Sequence, residues 1–259
     1  MRVVFMGKCK RSAARALEWL VEQGVEVVAV VAGPPDRFTV ESQRLDLVAE
    51  RHGLRLVTDD DLYAAIERGE LAEVDLVLSF LFWKRIRQPL IELGTLGCLN
   101  FHPAPLPDYR GLGGFNVAIL EGLPAWGVSC HFVDEQFDTG DLVEVDRFPI
   151  DREHETAFSL DLASQERLLA QFQRVLTTAL AGAALPRSSQ GAGRYVTRDD
   201  FERLRAVRPG DDVARAVRAF WYPPWPGAEL DVDGRHVPII DQALLEELAA
   251  TLRAAGRVP

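Results

Sequence analysis

The chain has 259 residues, enough for one full domain plus a modest second one. Its 47% hydrophobic and 26% charged residues fit an ordinary soluble globular protein, and no apolar run approaches the roughly 20 residues that cross a bilayer. A formal net charge of −10 argues against a protein that grips nucleic acid, since phosphate contacts need a basic face.

Residues 2–6 of the opening MRVVFMGK read as a strand, too short in its apolar part for a signal peptide. A helix comes next, with Ala16, Leu17, Leu20 and Val21 on one stripe, then a strand at 26–31 that stops at Gly33-Pro34-Pro35. This β-α-β opening demands a parallel crossover, hence an α/β sheet with helices on both faces. Then there is a helix at 42–52, a strand at 54–57 and a helix at 60–67 opened by acidic capping residues. A buried strand at 74–80, a short helix at 88–93 and a strand at 98–102 complete this half.

Gly113-Gly114 introduces a helix at 115–120. Residues 128–133 alternate as a strand, and 141–148 read as its hairpin partner across Asp138-Thr139-Gly140. A long helix covers 156–181, after which PRSSQGAGRY drops the apolar period and marks a boundary. Beyond it stand a helix at 213–220, the loop WYPPWPG, a hairpin at 229–240 turning on Asp233-Gly234, and an amphipathic helix at 242–254. The expected fold class is α/β, a Rossmann-like and mostly parallel sheet with a small β-containing C-terminal subdomain. The expected boundaries are a catalytic domain at 1–185, a linker at 186–197 and a small domain at 198–259.

The most informative stretch is LNFHPAPLPDYRG, with FVDEQFDTGDL some thirty residues later. Positions two apart in a strand face one side, so Asn100 and His102 project together while Leu99 and Phe101 point into a core. The prolines at 103, 105 and 107 end the strand and stiffen the loop after it, because proline fixes φ and donates no backbone hydrogen bond. With Asp138 on a later turn, an amide donor, an imidazole and a carboxylate form a set suited to acyl transfer to an amine.

Other constellations fall away. Cys9, Cys98 and Cys130 are odd in number and lack CxxC spacing, so neither a disulfide framework nor zinc is indicated, and the cytoplasm is the default location. His52, His131, His154 and His236 are scattered, and H-E-T-A-F is not H-E-x-x-H, so no metal site is expected. His131 reads as a packed, hydrogen-bonded residue rather than one facing the site. The segment GKCKRS opens a helix, and its amides with Lys8, Lys10 and Arg11 favour an anion, though a solvated basic turn fits as well. It lacks G-x-G-x-x-G, which disfavours dinucleotide oxidoreductase chemistry. The aromatic group Phe220, Trp221, Tyr222 and Trp225 reads as small-domain core.

The N-F-H-P-A-P-L-P-D-Y-R-G stretch with its downstream D-E-Q-F-D-T-G-D resembles the N10-formyltetrahydrofolate-dependent formyltransferases, over residues 1–150 and most strongly between Leu99 and Leu142. That resemblance implies catalytic roles for Asn100, His102 and Asp138, with 10-formyltetrahydrofolate as co-substrate and no metal. It implies a folate site between two loops, Ser79-Phe80-Leu81-Phe82-Trp83 and Asp134 to Asp138, with Phe80, Leu81, Phe82, Trp83, Leu106, Asp134, Gln136 and Asp138 as the residues that meet the folate. The residues expected to meet the acceptor are Lys8, Lys10, Arg11, Pro105, Tyr109 and Arg110, the anion at the start of the first helix being a nucleotide-sugar diphosphate or the folate tail. Where tRNA-directed members often carry serine and then L-L-P after the histidine, this chain has Ala104-Pro105-Leu106-Pro107, which weakens carry-over from that branch.

Within the family the acidic C-terminal stretch, with Asp211, Asp212, Glu229, Asp231, Asp233, Glu246 and Glu247, reads as a remnant of the longer basic barrel of tRNA-directed enzymes. The expected acceptor is therefore a small amine on a nucleotide-linked amino-deoxysugar, with neither nucleic acid nor membrane as partner. Methionyl-tRNA formyl transfer and a non-catalytic folate-binding protein stand as the alternatives. The identity of the amine and the oligomeric state stay open, a homodimer among the options.

Overall fold

The computed structural model describes residues 1–36 and 39–254. They divide into two compact units, the first made of Met1–Arg110, Gly127–Phe148 and Ala163–Arg194. The second takes Gly111–Trp126, Pro149–Leu162 and the chain from Tyr195 onward.

The first unit is built on β1 (Arg2–Gly7), α1 (Arg11–Glu22), β2 (Glu26–Ala32), α2 (Leu45–Arg51), α3 (Asp59–Glu67), β3 (Leu76–Phe80), α4 (Leu90–Leu93) and β4 (Gly97–His102). After β5 (Tyr109–Gly111) and α5 (Gly114–Leu120) come β6 (Ala125–Phe132), β7 (Leu142–Pro149), α6 (Ala157–Leu180) and the short β8 (Arg194–Val196). A six-stranded sheet forms in the order β2-β1-β3-β4-β6-β7. The pairs β1–β2, β1–β3 and β3–β4 are parallel, while β6 runs antiparallel to β4. The expected α/β class with a mostly parallel sheet is the class found.

The period of two along each strand sorts side chains to two faces. On one face Phe5, Phe80 and Phe101 meet Phe172 of α6, with ring centroids 6.2, 5.6 and 4.9 Å from it in edge-on arrangements. On the other face Val4, Met6, Val77 and Cys98 pack with Leu62, Tyr63 and Ala65 of α3 and with Leu90 of α4. Burial on both faces explains why these strands read as continuous apolar runs.

The local chemistry accounts for the element ends. Thr58 caps α3 by accepting from the Asp61 amide at 3.1 Å, with Asp59, Asp60 and Asp61 in its first turn beside the positive end of the helix dipole. The helix expected at 42–52 is a single 3-10 turn at Glu41–Gln43 followed by α2, because Arg44 leaves the helical region with ψ near 92°. The strand expected at 54–57 is not formed. Only Leu56 bridges to Val30, on the outer side of β2, and its side chain is 40% exposed. A short segment with one polar side and no second neighbour cannot bury enough to extend a ladder.

In the second unit α7 (Arg198–Arg205) is capped by Thr197 and Asp200 in a reciprocal pair of bonds. Three strands, β9 (Ala206–Val207), β10 (Glu229–Val232) and β11 (Arg235–Pro238), form a small sheet in the order β11-β10-β9. The β10–β11 turn sits on Asp233 and Gly234, both at positive φ (53° and 76°), as a tight two-residue hairpin requires. Here α8 (Val213–Phe220) packs on α5, with Asn116 donating to the Ala219 carbonyl at 2.7 Å. The last helix is α9 (Gln242–Ala254). The elements β5, β8, β9 and α7 were not expected from the sequence. The three strands are two or three residues long and exist through tertiary pairing rather than periodicity, while α7 announces itself in sequence only by its capping pair.

Candidate active site

Strand register assembles the site. Ser79 of β3 lies opposite Asn100 of β4, and Asn100 lies opposite His131 of β6. One row therefore crosses three strands on the face covered by α3 and α4, near the carboxyl ends of the parallel strands, where open α/β sheets hold their ligands. Two residues further along β4, His102 shares this face and lies opposite Ser129.

Hydrogen bonds along the row fix each group. The Ser79 hydroxyl donates to Asn100 Oδ1 at 2.7 Å, and Asn100 Nδ2 donates to His131 Nε2 at 3.1 Å. His131 Nδ1 lies 2.7 Å from the Phe132 carbonyl. A carbonyl only accepts, so the proton of the neutral ring sits on Nδ1, which leaves Nε2 as the acceptor that Asn100 needs. The carboxamide cannot flip without placing its oxygen against that lone pair. Its second Nδ2 hydrogen is engaged by neither bond. Ser79 and His131 are buried at 1% and 2% exposure, so water does not compete for these contacts.

His102 is fixed from the other side: its Nε2 donates to the Tyr109 carbonyl at 3.1 Å. Its Nδ1 then faces Asp138 Oδ1 at 3.6 Å, while His131 Nε2 is 3.7 Å from the same oxygen. Asp138 adopts φ +57°, a left-handed conformation that aspartate tolerates better than most residues. Its turn is held by Asp134, whose Oδ1 accepts from the Gln136 amide at 3.0 Å and from the Thr139 hydroxyl at 2.7 Å. Gly140 completes the turn. A Cβ there would stand 2.0 Å from the Phe132 carbonyl oxygen, so no other residue fits without moving β6.

The expected site residues separate into groups. Asn100, His102 and Asp138 converge. Phe80 points to the opposite face, fully buried and stacked on Phe101, so it can offer a ligand only backbone. Leu81 stands at φ +56°, uncommon for leucine and a mark of local strain of the kind that gathers at binding sites. Phe82 and Trp83 pack ring to ring at 4.6 Å, and the Trp83 indole lies over Gly33, where a Cβ would come within 2.7 Å of it.

Trp83 and Phe137 expose 42% and 47% of their surface, and Arg85 joins their two loops by donating to the Glu135 carbonyl and lying over the Phe137 ring. Two loops with exposed aromatic faces and accessible backbone suit a flat, edge-hydrogen-bonding ring such as a pterin. Leu106 and Pro105 are buried, and Ser129 pins their loop by donating to the Ala104 carbonyl at 2.7 Å and accepting from the Leu106 amide at 2.9 Å.

Lys8, Lys10 and Arg11 stand where β1 passes into α1, and the Lys8 amide donates to the Phe80 carbonyl at 3.3 Å. Arg110 is engaged by the chain itself, donating to Gln190 Oε1 at 3.1 Å and the Gly191 carbonyl at 3.0 Å. Gln136 is exposed at the tip of its turn.

Ser79 was expected only as the first residue of a folate-binding loop, and neither His131 nor Gln190 was expected beside the site. Ser79 left a trace, a hydroxyl inside a run buried on both faces. His131 is packed and hydrogen-bonded as read, yet it also faces the site. Its alternation with Ser129 was the available sign. Gln190 left none, since its partners are remote in sequence. Cysteine chemistry is absent from the row, because burial pushes the Cys98 and Cys130 thiols far above the range where a thiolate forms. Among the described residues no three His, Cys, Asp or Glu side chains come together as metal ligands.

The formyl transferase family matches residues 1–180. The chain belongs to that family. A methionyl-tRNA formyltransferase of Novosphingobium aromaticivorans is 30% identical over 252 residues, 95% of this chain and 82% of that protein. Among solved structures, a 4-N formyltransferase from Francisella tularensis superposes with a TM-score of 0.73 at 18% identity, over 93% of this chain and 96% of that one. An N-formyltransferase from Helicobacter canadensis, solved with folinic acid and dTDP-3-aminofucose, gives 0.72 at 19% identity over 92% and 86%. At these identities the two structures establish a shared fold. The chain is a formyltransferase, and no helix among its described residues is long and apolar enough to cross a membrane.

Proposed function

We propose that this formyltransferase moves the formyl group of 10-formyltetrahydrofolate to the primary amine of a small acceptor, a nucleotide-linked amino-deoxysugar. The observation that carries the chemistry is the convergence of Asn100, His102 and Asp138, with His102 Nδ1 3.6 Å from the Asp138 carboxylate. When bound between the 79–83 and 134–138 loops, the folate supplies the formyl group and accepts a proton as its nitrogen departs.

Asn100 directs its remaining Nδ2 hydrogen at the formyl oxygen as negative charge develops there. One such donor is worth about 10²–10³ in rate. Ser79 and His131 hold the carboxamide in the donating orientation, so no reorganisation is needed at the moment of reaction. His102, its Nε2 hydrogen committed to Tyr109, can take the proton of the attacking amine only at Nδ1. There the Asp138 carboxylate stabilises the resulting cation. His102 then returns that proton to the departing nitrogen.

The acceptor follows from charge. A net charge of −10 and a C-terminal region carrying Asp211, Asp212, Glu229, Asp231 and Asp233 suit a small molecule better than a polyanion. Lys8, Lys10 and Arg11 at the start of α1 would hold a diphosphate. A methionyl-tRNA acceptor is the second reading, favoured by the 30% identity to the Novosphingobium protein across 82% of its length. The two separate in one assay that follows tetrahydrofolate release by absorbance. A panel of nucleotide-amino-sugars and simple amines is offered beside methionyl-tRNA. Efficient turnover of a nucleotide-amino-sugar supports the first reading; efficient formylation of methionyl-tRNA with a steep salt dependence replaces it.

A further inference from the structure

The segment after α6 reads in sequence as a polar connector, yet it is bonded into the first unit along its length. Ser188 and Leu142 exchange both backbone hydrogen bonds, at 2.8 and 3.0 Å. At Gly193 a Cβ would stand 1.9 Å from the Pro107 carbonyl oxygen, so this backbone lies directly against the proline loop that comes after His102. Between these two anchors stands Gln190. Its Nε2 donates to the Gly140 carbonyl at 2.6 Å, and its Oε1 accepts from the Arg110 guanidinium at 3.1 Å. The neighbouring Gly191 carbonyl takes a second bond from the same guanidinium nitrogen at 3.0 Å.

These partners are next to the two groups that set the His102–Asp138 pair. Gly140 lies two residues after Asp138 on its turn, and Arg110 comes directly after Tyr109, whose carbonyl fixes the His102 ring. One amide thus links the segment that orients the imidazole to the segment that carries the carboxylate. We infer that Gln190 is a positioning residue for formyl transfer, a spacer that sets the separation between His102 and Asp138. It acts only through its neighbours, for neither of its contacts is to a reacting group. The two ends of the amide are used differently, a donor toward Gly140 and an acceptor toward Arg110, which makes the residue type specific: leucine has neither end, and glutamate keeps only the second. The inference rests on the proposed roles of His102 and Asp138, and its test distinguishes the failure of one from the failure of the other.

The experiment compares Gln190→Leu, Gln190→Glu, Asp138→Ala and the double variant Gln190→Leu/Asp138→Ala in the full chain. The probe is 10-formyltetrahydrofolate with the best amine found by the panel. Each Gln190 variant should lower kcat by about tenfold or more, as a misplacement of catalytic groups does, with KM for the folate changed less than about twofold. Binding of folinic acid by calorimetry should likewise change less than about twofold. In the Asp138→Ala background the same Gln190→Leu change should cost little further rate, because the spacing no longer matters. Thermal melting of each variant shows whether it is folded, and Gln190→Glu serves if Gln190→Leu is not. Two results overturn the inference: near-normal kcat in a folded Gln190 variant, or a loss that multiplies fully with that of Asp138→Ala. Near-normal turnover of Asp138→Ala itself would instead overturn the proposed site.

Discussion

The row Ser79–Asn100–His131 across β3, β4 and β6 and the hairpin β10–β11 both rest on strand pairing, and they differ in burial and in proposed use. Around the row, strands are buried on both faces, with Leu78, Leu99, Phe101 and Cys130 at 0% exposure. In the hairpin every residue of β11 is exposed, and Val232, Val237 and nearby Ile240 show 50%, 43% and 54% of their surface. A slip of β4 by one residue would turn Asn100 onto the face packed against Phe172 and Leu99 onto the face of the row, so the buried polar residues hold these strands to one register. The hairpin lacks that constraint and is held by its turn. Polar groups of the row therefore stay at fixed distances in a water-poor setting where each bond counts for more. The proposed chemistry belongs to the first region; the second carries surface.

The contrast breaks first, if it breaks, at the aromatic anchor. Phe172→Ala should destabilise the chain by about 3–5 kcal/mol, since its ring closes the edge-on cluster with Phe5, Phe80 and Phe101. Urea unfolding followed by tryptophan fluorescence measures this. A loss under about 1 kcal/mol would mean that the face beneath β4 is loosely packed and cannot hold the row in register.

Next in size come the proposed reacting groups. Asn100→Ala, His102→Asn and Asp138→Ala should each lower kcat by at least about two orders of magnitude in a folded chain, and Asn100→Ala should also lower the unfolding midpoint, because it leaves the buried Ser79 and His131 without the partner between them. Steady-state kinetics on folded variants decide it. A His102→Asn variant with near-normal turnover would remove the proposed proton route.

How far the sequence reached tracks the same division. Elements with a strong apolar signal were legible: β1, β3 and β4 as continuous runs, α8 and α9 by helical periodicity. The Asn100, His102 and Asp138 positions were legible through strand parity, a turn signal and the family's motif. Ser79 and His131 were half legible, since a polar residue in a buried run announces itself but not its partner. Gln190 was illegible, because the Gly140 carbonyl and the Arg110 guanidinium that give it meaning are fifty and eighty residues away. The strand expected at 54–57 failed because local propensity cannot supply a second neighbour.

A smaller effect is expected at the start of α1. Changing Lys8 and Lys10 together to Gln should raise the KM for a nucleotide-amino-sugar several-fold and flatten its salt dependence, with kcat moved less, as for contacts made equally in ground and transition states. Initial rates at low and high salt measure this. An unchanged KM would remove the proposed diphosphate site and leave the acidic balance as the only support for the acceptor.

The smallest effect belongs to the hairpin. Val237 on β11 faces Leu230 on β10, and both are substantially exposed, at 43% and 36%. Val237→Ser removes little buried surface and only part of a cross-strand contact, so the change in stability should stay within about 0.5 kcal/mol, as for ordinary surface positions. The β-propensity difference adds a few tenths at most on an edge strand. Thermal melting at two protein concentrations checks the value and its cause. A fall of several degrees that shrinks as concentration rises would show that a second chain covers this strand, since association stabilises by mass action. In that case the exposed apolar face would be an interface, and the contrast between a buried row and a bare hairpin would hold only for the isolated chain.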